Sequence, residues 1–333
     1  MISKIKVCSN LTVDVSMPSG IVEMYGIILA AGNGRRMEDF ISRVFNSTHP
    51  KQYVPFTGKR SMVQHTLRRA EKLISKEKLL VVADPKHRLI IKEQLNDFPE
   101  QTVIYQPINC ETAPGILLPL SFIYKTDPGS TVAIFPSDHF ILEEDRFMDY
   151  IRYARKVNQQ FPDKIILLGI QPDAPEEEYG WIQPGKRILG YKGFEVRKVK
   201  RFHEKPDRLS AQTFFKQGYL WNTLVMVARC STLWNLAKEA LPKIHHRFEK
   251  ILTAIGTVKE EKVILEEYEA MEKATISHHV LERFPSRLLV INVKDVLWND
   301  WGNGPRVIET LKKIGKLPKF LETVGQEVKL VSI

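Results

Sequence analysis

The chain has 333 residues, 43% hydrophobic and 26% charged, an ordinary balance for a globular protein with a sizeable core. No apolar run approaches the ~20 residues that span a bilayer. Residues 1–24 mix Lys4, Lys6, Asp14 and Glu23 with short apolar pieces and lack a signal peptide's continuous apolar region. The formal net charge of +10 admits two classes of partner, nucleic acid or small anions. The basic residues are dispersed (Arg68-Arg69, Lys198 to Arg201, Lys312-Lys313) and no nucleic-acid-binding motif accompanies them, so small anions are favoured and neither nucleic acid nor membrane is expected. Cys8, Cys110 and Cys230 lie far apart with no Cys-x-x-Cys spacing, which points to a reducing cytoplasm rather than a disulfide framework or a zinc site.

After residues 1–24, read as an N-terminal extension, Tyr25 to Ala30 predicts a buried strand that breaks into the loop Ala31-Gly-Asn-Gly-Arg-Arg36. Gly32 and Gly34 are expected to turn the backbone and let it approach a ligand. Successive loop N–H groups then form an anion-binding concavity, with Arg35, Arg36 and Lys51 adding charge. A Gly-x-Gly loop alone also serves tight turning, so the downstream residues carry the distinction. Ser61 to Leu73 predicts a helix, Lys78 to Asp84 a strand, His87 to Leu95 a helix and Thr102 to Tyr105 a strand. Ala113 to Tyr124 reads as a helix, Thr131 to Phe135 as a buried strand, Glu143 to Val157 as a helix and Lys164 to Gly169 as a strand. This alternation predicts a Rossmann-like α/β fold, a mixed, mostly parallel sheet flanked by helices, with ligands at the carboxyl ends of strands.

From about Tyr179 the pattern changes. Gly180 to Gln183, Phe194 to Phe202 and Tyr219 to Ala228 predict strands. They alternate with helices at Asp207 to Gln217, Ser231 to Glu239 and Ile244 to Ile255, followed by a charged helix or helical pair over Val258 to Ala274. Leu288 to Val293 and Asp295 to Leu297 return to strand, and Pro305 to Ile314 closes the fold as a helix. With no repeat, low-complexity segment or linker, residues 25–333 are expected to form one domain.

Two carboxylates follow predicted strands, Asp138 in Pro136-Ser-Asp-His139 and Asp300 in Trp298-Asn-Asp-Trp-Gly302. Each is also ordinary turn or capping chemistry; at strand ends of one sheet they would be placed to share a divalent cation. The pairs His245-His246 and His278-His279 lack the i, i+4 spacing of a helical metal site and read as packing or surface residues. Trp181, Trp221, Trp298 and Trp301 are candidates for lining a pocket, and Trp234 for the core.

Taken in order, the motifs from Tyr25 to about Arg306 resemble the sugar-1-phosphate nucleotidylyltransferases, and most closely the bacterial mannose-1-phosphate guanylyltransferases. They are Leu29-Ala-Ala-Gly-Asn-Gly-Arg-Arg36, Pro50-Lys-Gln52, Gln106-Pro-Ile-Asn-Cys-Glu-Thr-Ala-Pro114, Pro136-Ser-Asp-His139, Glu178-Tyr-Gly-Trp-Ile182, Phe202-His-Glu-Lys-Pro206, Trp221-Asn-Thr223 and Trp298-Asn-Asp-Trp-Gly302. The resemblance implies a three-layer nucleotidyltransferase (GT-A-like) fold and Mg²⁺-dependent nucleotidylyl transfer. GTP and mannose-1-phosphate are the preferred pair, giving GDP-mannose and pyrophosphate. Carried over by position, Arg36 and Lys51 would be catalytic, on the triphosphate and beside the α-phosphate. Ala30, Ala31, Gly32, Gly34, Arg35, Gln106, Glu111, Thr112 and Ser137 would bind the nucleotide. Tyr179, Gly180, Glu204, Lys205 and Asn222 would hold the sugar phosphate, and Asp138 and Asp300 the metal. A homodimer is kept open.

The chain departs from the family pattern at Ala31 (a glycine there), Arg35 (a small hydroxyl residue), Glu111 (asparagine) and Leu224 (glycine). Glu111 would suit the donor-rich edge of guanine. Three rivals remain. One is the same chemistry with another nucleotide and a hexose- or heptose-1-phosphate. Another is a nucleotide-sugar-dependent glycosyltransferase, against which the chain lacks an Asp-x-Asp motif. The last is a nucleotide-binding regulator without catalysis.

Overall fold

The computed structural model describes residues 23–316 except 192, together with the backbone of a two-stranded pairing between Ile5–Lys6 (β1) and Thr12–Val13 (β2). The rest of the expected N-terminal extension and residues 317–333 lie outside the described residues. Four apolar runs open the sheet: β3 (Tyr25–Ala30), β4 (Leu79–Ala83), β5 (Val103–Tyr105) and β6 (Thr131–Pro136). They pair in parallel, β3 between β4 and β6, with β5 outside β4. Such strands are covered on both faces, which is why they read as continuous apolar runs. Ile27 and Ile28 are both fully buried yet belong to different core layers, as strand alternation requires.

One helical layer contains α2 (Met62–Glu71), α3 (Arg88–Gln94) and α5 (Glu144–Gln160). The opposite layer contains α4 (Thr112–Thr126), α7 (Cys230–Ala240), α8 (Pro242–Ala254) and α9 (Glu260–Glu269). The same sheet continues through the second half of the chain with β8 (Ile165–Ile170), β9 (Gly180–Tyr191), β10 (Phe194–Glu204), β11 (Leu220–Arg229) and β12 (Leu288–Val293). The strand order is β5-β4-β3-β6-β11-β8-β12-β10-β9. Only β10 and β11 run against the other seven, so the sheet is mixed but mostly of one direction. A separate two-stranded ribbon joins β7 (Phe140–Ile141) to β13 (Trp298–Asn299), each next to one of the candidate metal carboxylates.

Three local expectations are corrected. The strand expected over Asp295 to Leu297 lies at Trp298–Asn299, because Asp295 turns at φ 54° and the register is set by β7. The charged stretch Val258 to Ala274 is helical only over Glu260–Glu269. Residues 110–113 draw its end away, Ala113 N–H donating to the Ala274 carbonyl at 2.9 Å and Ala274 N–H to that of Cys110 at 3.2 Å. A helix not anticipated at all, α1 (Glu38–Phe45), follows the glycine loop and packs Met37, Ile41 and Val44 against Trp301 and α10 (Gly304–Lys313). A further helix, α6 (Arg208–Lys216), adds Ala211 and Phe214 to the core on the α2–α3–α5 side.

Candidate active site

The glycine loop leaves β3 at Ala30 and turns at Gly34, whose φ of 65° is left-handed and whose Cβ would lie 3.0 Å from the Lys51 nitrogen. Gly32 has no positive φ, and a Cβ added to it would meet nothing within 4 Å, so Gly34 alone answers the expected demand for glycine in the turn. Two buried side chains tie the loop's carbonyls down. Gln52 Nε2 donates to those of Ala30 (3.0 Å) and Gly32 (2.7 Å), and Tyr53 Oη to that of Ala30 (3.2 Å). Among the described residues the N–H groups of 31–34 make no hydrogen bond, and Ala31 and Gly32 line a cleft.

That cleft, about 210 Å³, brings together Ala31, Gly32, Gln106, Glu111, Thr112, Ser137 and Asp138. Ser137 Oγ donates to the Leu29 carbonyl at 2.7 Å, fixing the strand end. Gln106 is buried and donates to the Ile108 carbonyl at 2.9 Å. Glu111 sits at φ 71° just before α4, held by its N–H donating to Asn109 Oδ1 at 3.0 Å, and its side chain is exposed. Thr112 Oγ1 accepts from Ile276 N–H at 2.9 Å. A larger cavity of about 580 Å³ lies behind His139, where Arg69 and Lys72 are already paired with Glu144.

Lys51 is the hub. It is 5% exposed, and its ammonium donates to the Asp300 carbonyl at 2.5 Å and the Trp301 carbonyl at 3.3 Å while pairing with Asp138 Oδ2 at 2.8 Å. The two carboxylate-bearing loops therefore meet on one cation. Lost solvation counts against an ionised Asp138, but Lys51 outweighs it and the carboxyl titrates below its usual range. Burial pushes His139 down to about 4, so it is neutral near pH 7 and accepts from Trp298 Nε1 at its Nδ1, 3.3 Å away. Its ring also stands edge-on to that of Trp298, with centroids 5.2 Å apart, which holds the loop in place.

Asp300 is held by its own network. Its Oδ1 accepts from Tyr179 Oη (2.6 Å), Arg306 Nη1 (3.0 Å) and Gly302 N–H (3.0 Å). Burial opposes its charge, yet the Tyr179 hydrogen bond, Lys51 and Arg306 keep the carboxyl below the usual range. The Tyr179 phenol is pushed far up by burial and by Asp300. Arg306 also donates to Tyr179 Oη at 2.6 Å, pairs with Glu176 and lies 4.7 Å over the Tyr179 ring. Among the described residues no group of three or more metal-type side chains gathers. Asp138, on the cleft, nevertheless fits Mg²⁺, a hard cation that takes one or two carboxylates plus phosphate and water. Asp300, by contrast, is engaged at Oδ1 by Tyr179, Arg306 and Gly302 and is not among the residues lining the cleft. Asp138 keeps 37% of its side chain exposed where it lines the cleft, and its Oδ1 lies 3.9 Å from His139 Nε2.

The expected sugar residues Glu204 and Asn222 meet at Gly180, outside the residues that line this cleft. A Cβ on Gly180 would come within 2.9 Å of Glu204 Oε2, 3.0 Å of Phe202 and 3.3 Å of Asn222 Cβ, so glycine is what lets these side chains meet. Asn222 is buried, its Oδ1 accepting from Leu224 N–H at 3.2 Å. Burial raises the Glu204 carboxyl above its usual range, against the pull of Lys205 and Ser277. Lys205 is exposed at φ 47° and its N–H donates to the Tyr179 carbonyl at 3.2 Å. Arg36 is exposed and pairs with Glu178 at 3.0 Å, linking the glycine loop to this wall; Arg35 is exposed beside it. The four tryptophans expected at the pocket do not line the cleft. Trp181, Trp221, Trp298 and Trp301 are buried, backing the wall through contacts such as Tyr179–Trp221 (4.7 Å) and Phe140–Trp301 (4.6 Å).

The family model described as Nucleotidyl transferase matches residues 25–316. The chain belongs to the nucleotidyl transferase family. It is 30% identical over 288 residues to a mannose-1-phosphate guanylyltransferase of Salmonella typhimurium, covering 83% of this chain and 56% of that protein. It is 29% identical over 287 residues to a mannose-1-phosphate guanylyltransferase of Escherichia coli, covering 84% and 58%. The chain thus spans little more than half the length of these curated relatives. Its fold resembles a crystal structure described as mannose-1-phosphate geranyltransferase from Thermus thermophilus, with a TM-score of 0.72 at 23% identity over 85% of this chain and 77% of that one.

For a nucleotidyl transferase read by motif, Arg306 and Glu176 are invisible. Both flank motifs without belonging to them, and their link to Tyr179 and Asp300 exists only once α10 folds back over β9. The only signal is a basic residue six positions after Asp300, at the start of a predicted helix.

Proposed function

We propose that this nucleotidyl transferase joins GTP to mannose-1-phosphate in the cytoplasm, releasing pyrophosphate and forming GDP-mannose. A sugar-phosphate oxygen attacks the α-phosphorus, the bond from that phosphorus to the bridging oxygen breaks, and its electron pair leaves with pyrophosphate. No side-chain base is needed, because phosphate is already nucleophilic; alignment and charge neutralisation carry the acceleration. The observation that carries this reading is Lys51, buried between Asp138 and the Asp300 loop at the end of the glycine-loop cleft.

The residues divide the task. Free N–H groups of 31–34 and Arg36 would bind the triphosphate, and Lys51 would neutralise the α-phosphate and the leaving group. Asp138 and Asp300 would hold Mg²⁺, which supplies charge neutralisation to the phosphates when bound. Glu111 would accept from guanine, and Gln106, Thr112 and Ser137 would shape the nucleoside's seat. On the other wall Glu204 and Asn222 would accept and donate to sugar hydroxyls, Gly180 and Tyr179 would keep them in place, and Lys205 would meet the sugar's phosphate.

The test is pyrophosphate release with Mg²⁺, four nucleoside triphosphates being crossed with a panel of sugar-1-phosphates. Release that requires GTP and mannose-1-phosphate together is expected. Release with another pair would keep the chemistry and move the substrates, and silence across the panel would sink the reading.

A further inference from the structure

Among the described residues six that are not glycine have left-handed backbone, and Leu224, at φ 57°, is the only aliphatic one. Leucine has no local hydrogen bond with which to offset that conformation, and it persists only where its surroundings over-determine it. The cause is a bulge within β11. Its pairing with β8 runs from Asn222 opposite Gly169 to Met226 opposite Leu167, so four steps on one strand match two on the other. The bulge has two consequences. The Leu224 N–H points back at Asn222 Oδ1, 3.2 Å away, which assigns the oxygen to that side and leaves the amide's Nδ2 as donor on the other. The Leu224 side chain, half-buried against the α4–α7 core layer, turns into the nucleotide cleft and lines it beside Pro136 and Ser137.

A glycine at this position would make the same backbone turn without strain. The N–H to Asn222 therefore does not explain the leucine; what only the side chain adds is an apolar surface in the cleft. That surface lines the same cleft as the polar Gln106, Glu111 and Thr112 and differs from them in chemistry. We infer that Leu224 is a specificity-determining residue, its side chain the apolar wall on which the nucleoside of the triphosphate packs. Its backbone meanwhile orients Asn222 toward the other substrate. The inference rests on the nucleotidyl-transfer reading above.

The experiment compares Leu224→Gly and Leu224→Ala with the wild-type chain. GTP binding is measured by calorimetry without sugar phosphate, and KM for mannose-1-phosphate in the coupled pyrophosphate assay. Both variants should bind GTP about tenfold more weakly, the scale expected for lost apolar contacts in a pocket. KM for mannose-1-phosphate should change less than the GTP affinity, because either variant can keep the N–H to Asn222. Leu224→Gly should also melt higher than Leu224→Ala, since glycine relieves the left-handed strain that alanine retains. Unchanged GTP affinity in both variants overturns the wall, as does a rise confined to the sugar-phosphate KM. If the wild-type chain binds no nucleoside triphosphate, the underlying reading fails and takes the wall with it; the two failures differ in the wild-type titration alone.

Discussion

On the side of the cleft proposed for the nucleotide, Gln52 and Tyr53 hold the Ala30 and Gly32 carbonyls, and the N–H groups of residues 31–34 make no hydrogen bond among the described residues. On the side proposed for the sugar phosphate, Asp300, Tyr179, Arg306 and Glu176 hold one another through side chains, and Glu204 and Asn222 meet over the bare backbone of Gly180. A surface made of backbone donors accepts changed side chains, which is how Ala31 and Arg35 can stand in the loop. A network of side chains loses function one member at a time. Lys51 belongs to both sides, paired with a carboxylate from one and bonded to carbonyls of the other.

Breaking the shared point should have the largest effect. Lys51→Met keeps the volume and removes the charge, and pyrophosphate release should fall about 10³-fold, the scale of losing a charge placed at a developing anion. Thermal melting should show a folded protein, since Asp138 is partly exposed and can be hydrated once its partner is gone. A near-normal rate in the folded variant would remove Lys51 from the mechanism and leave the two walls without a common element.

The same contrast decides what is legible in sequence. The first half is built from doubly covered strands, and β3, β4 and β6 fall within two residues of their expected bounds because each is a continuous apolar run. The loops at their ends carry compact motifs, so Lys51, Ser137 and Asp138 stand out without knowledge of any contact. In the second half β13 is two residues long and owes its register to Phe140–Ile141, some 160 positions earlier, which no local pattern reports. The tryptophans look like pocket residues by composition, yet sheet alternation turns Trp181 inward to zero exposure. The network around Asp300 depends on contacts more than a hundred positions apart and has no period to betray it.

Arg306→Met tests whether that network matters to chemistry or only to the fold. Its side chain is 13% exposed and bridges Asp300 to Glu176, so removal leaves two carboxylates short of a partner. Stability to urea should drop by about 1–3 kcal/mol, the usual result of leaving a buried polar partner unmade. If Arg306 holds Asp300 in register, kcat should also fall about tenfold, with a higher Mg²⁺ requirement and partial recovery in Arg306→Lys. A loss of stability with unchanged kcat and metal titration would confine Arg306 to the scaffold.

The gentlest probe is pH, because the two walls carry carboxyls shifted in opposite directions. Lys51 holds Asp138 below its usual range against the cost of burial, while burial lifts Glu204 above it. Acidifying from neutrality therefore protonates Glu204 first and leaves Asp138 charged. As a folded-state pKa that is raised, Glu204 favours the native state below its unfolded value, and that contribution is lost as pH rises through the folded one. Mild acid should thus weaken sugar-phosphate binding without loosening the fold at this position. KM for the sugar phosphate should rise a few-fold on the acid side while KM for the triphosphate moves less. The phosphate of the substrate has a titration of its own, near pH 6, so the rise in the wild-type chain alone cannot be assigned. Glu204→Gln keeps the shape and removes the titration. If the acid-side rise is as steep in that variant as in the wild-type chain, it belongs to the substrate, and the sugar wall carries no pH signature of its own.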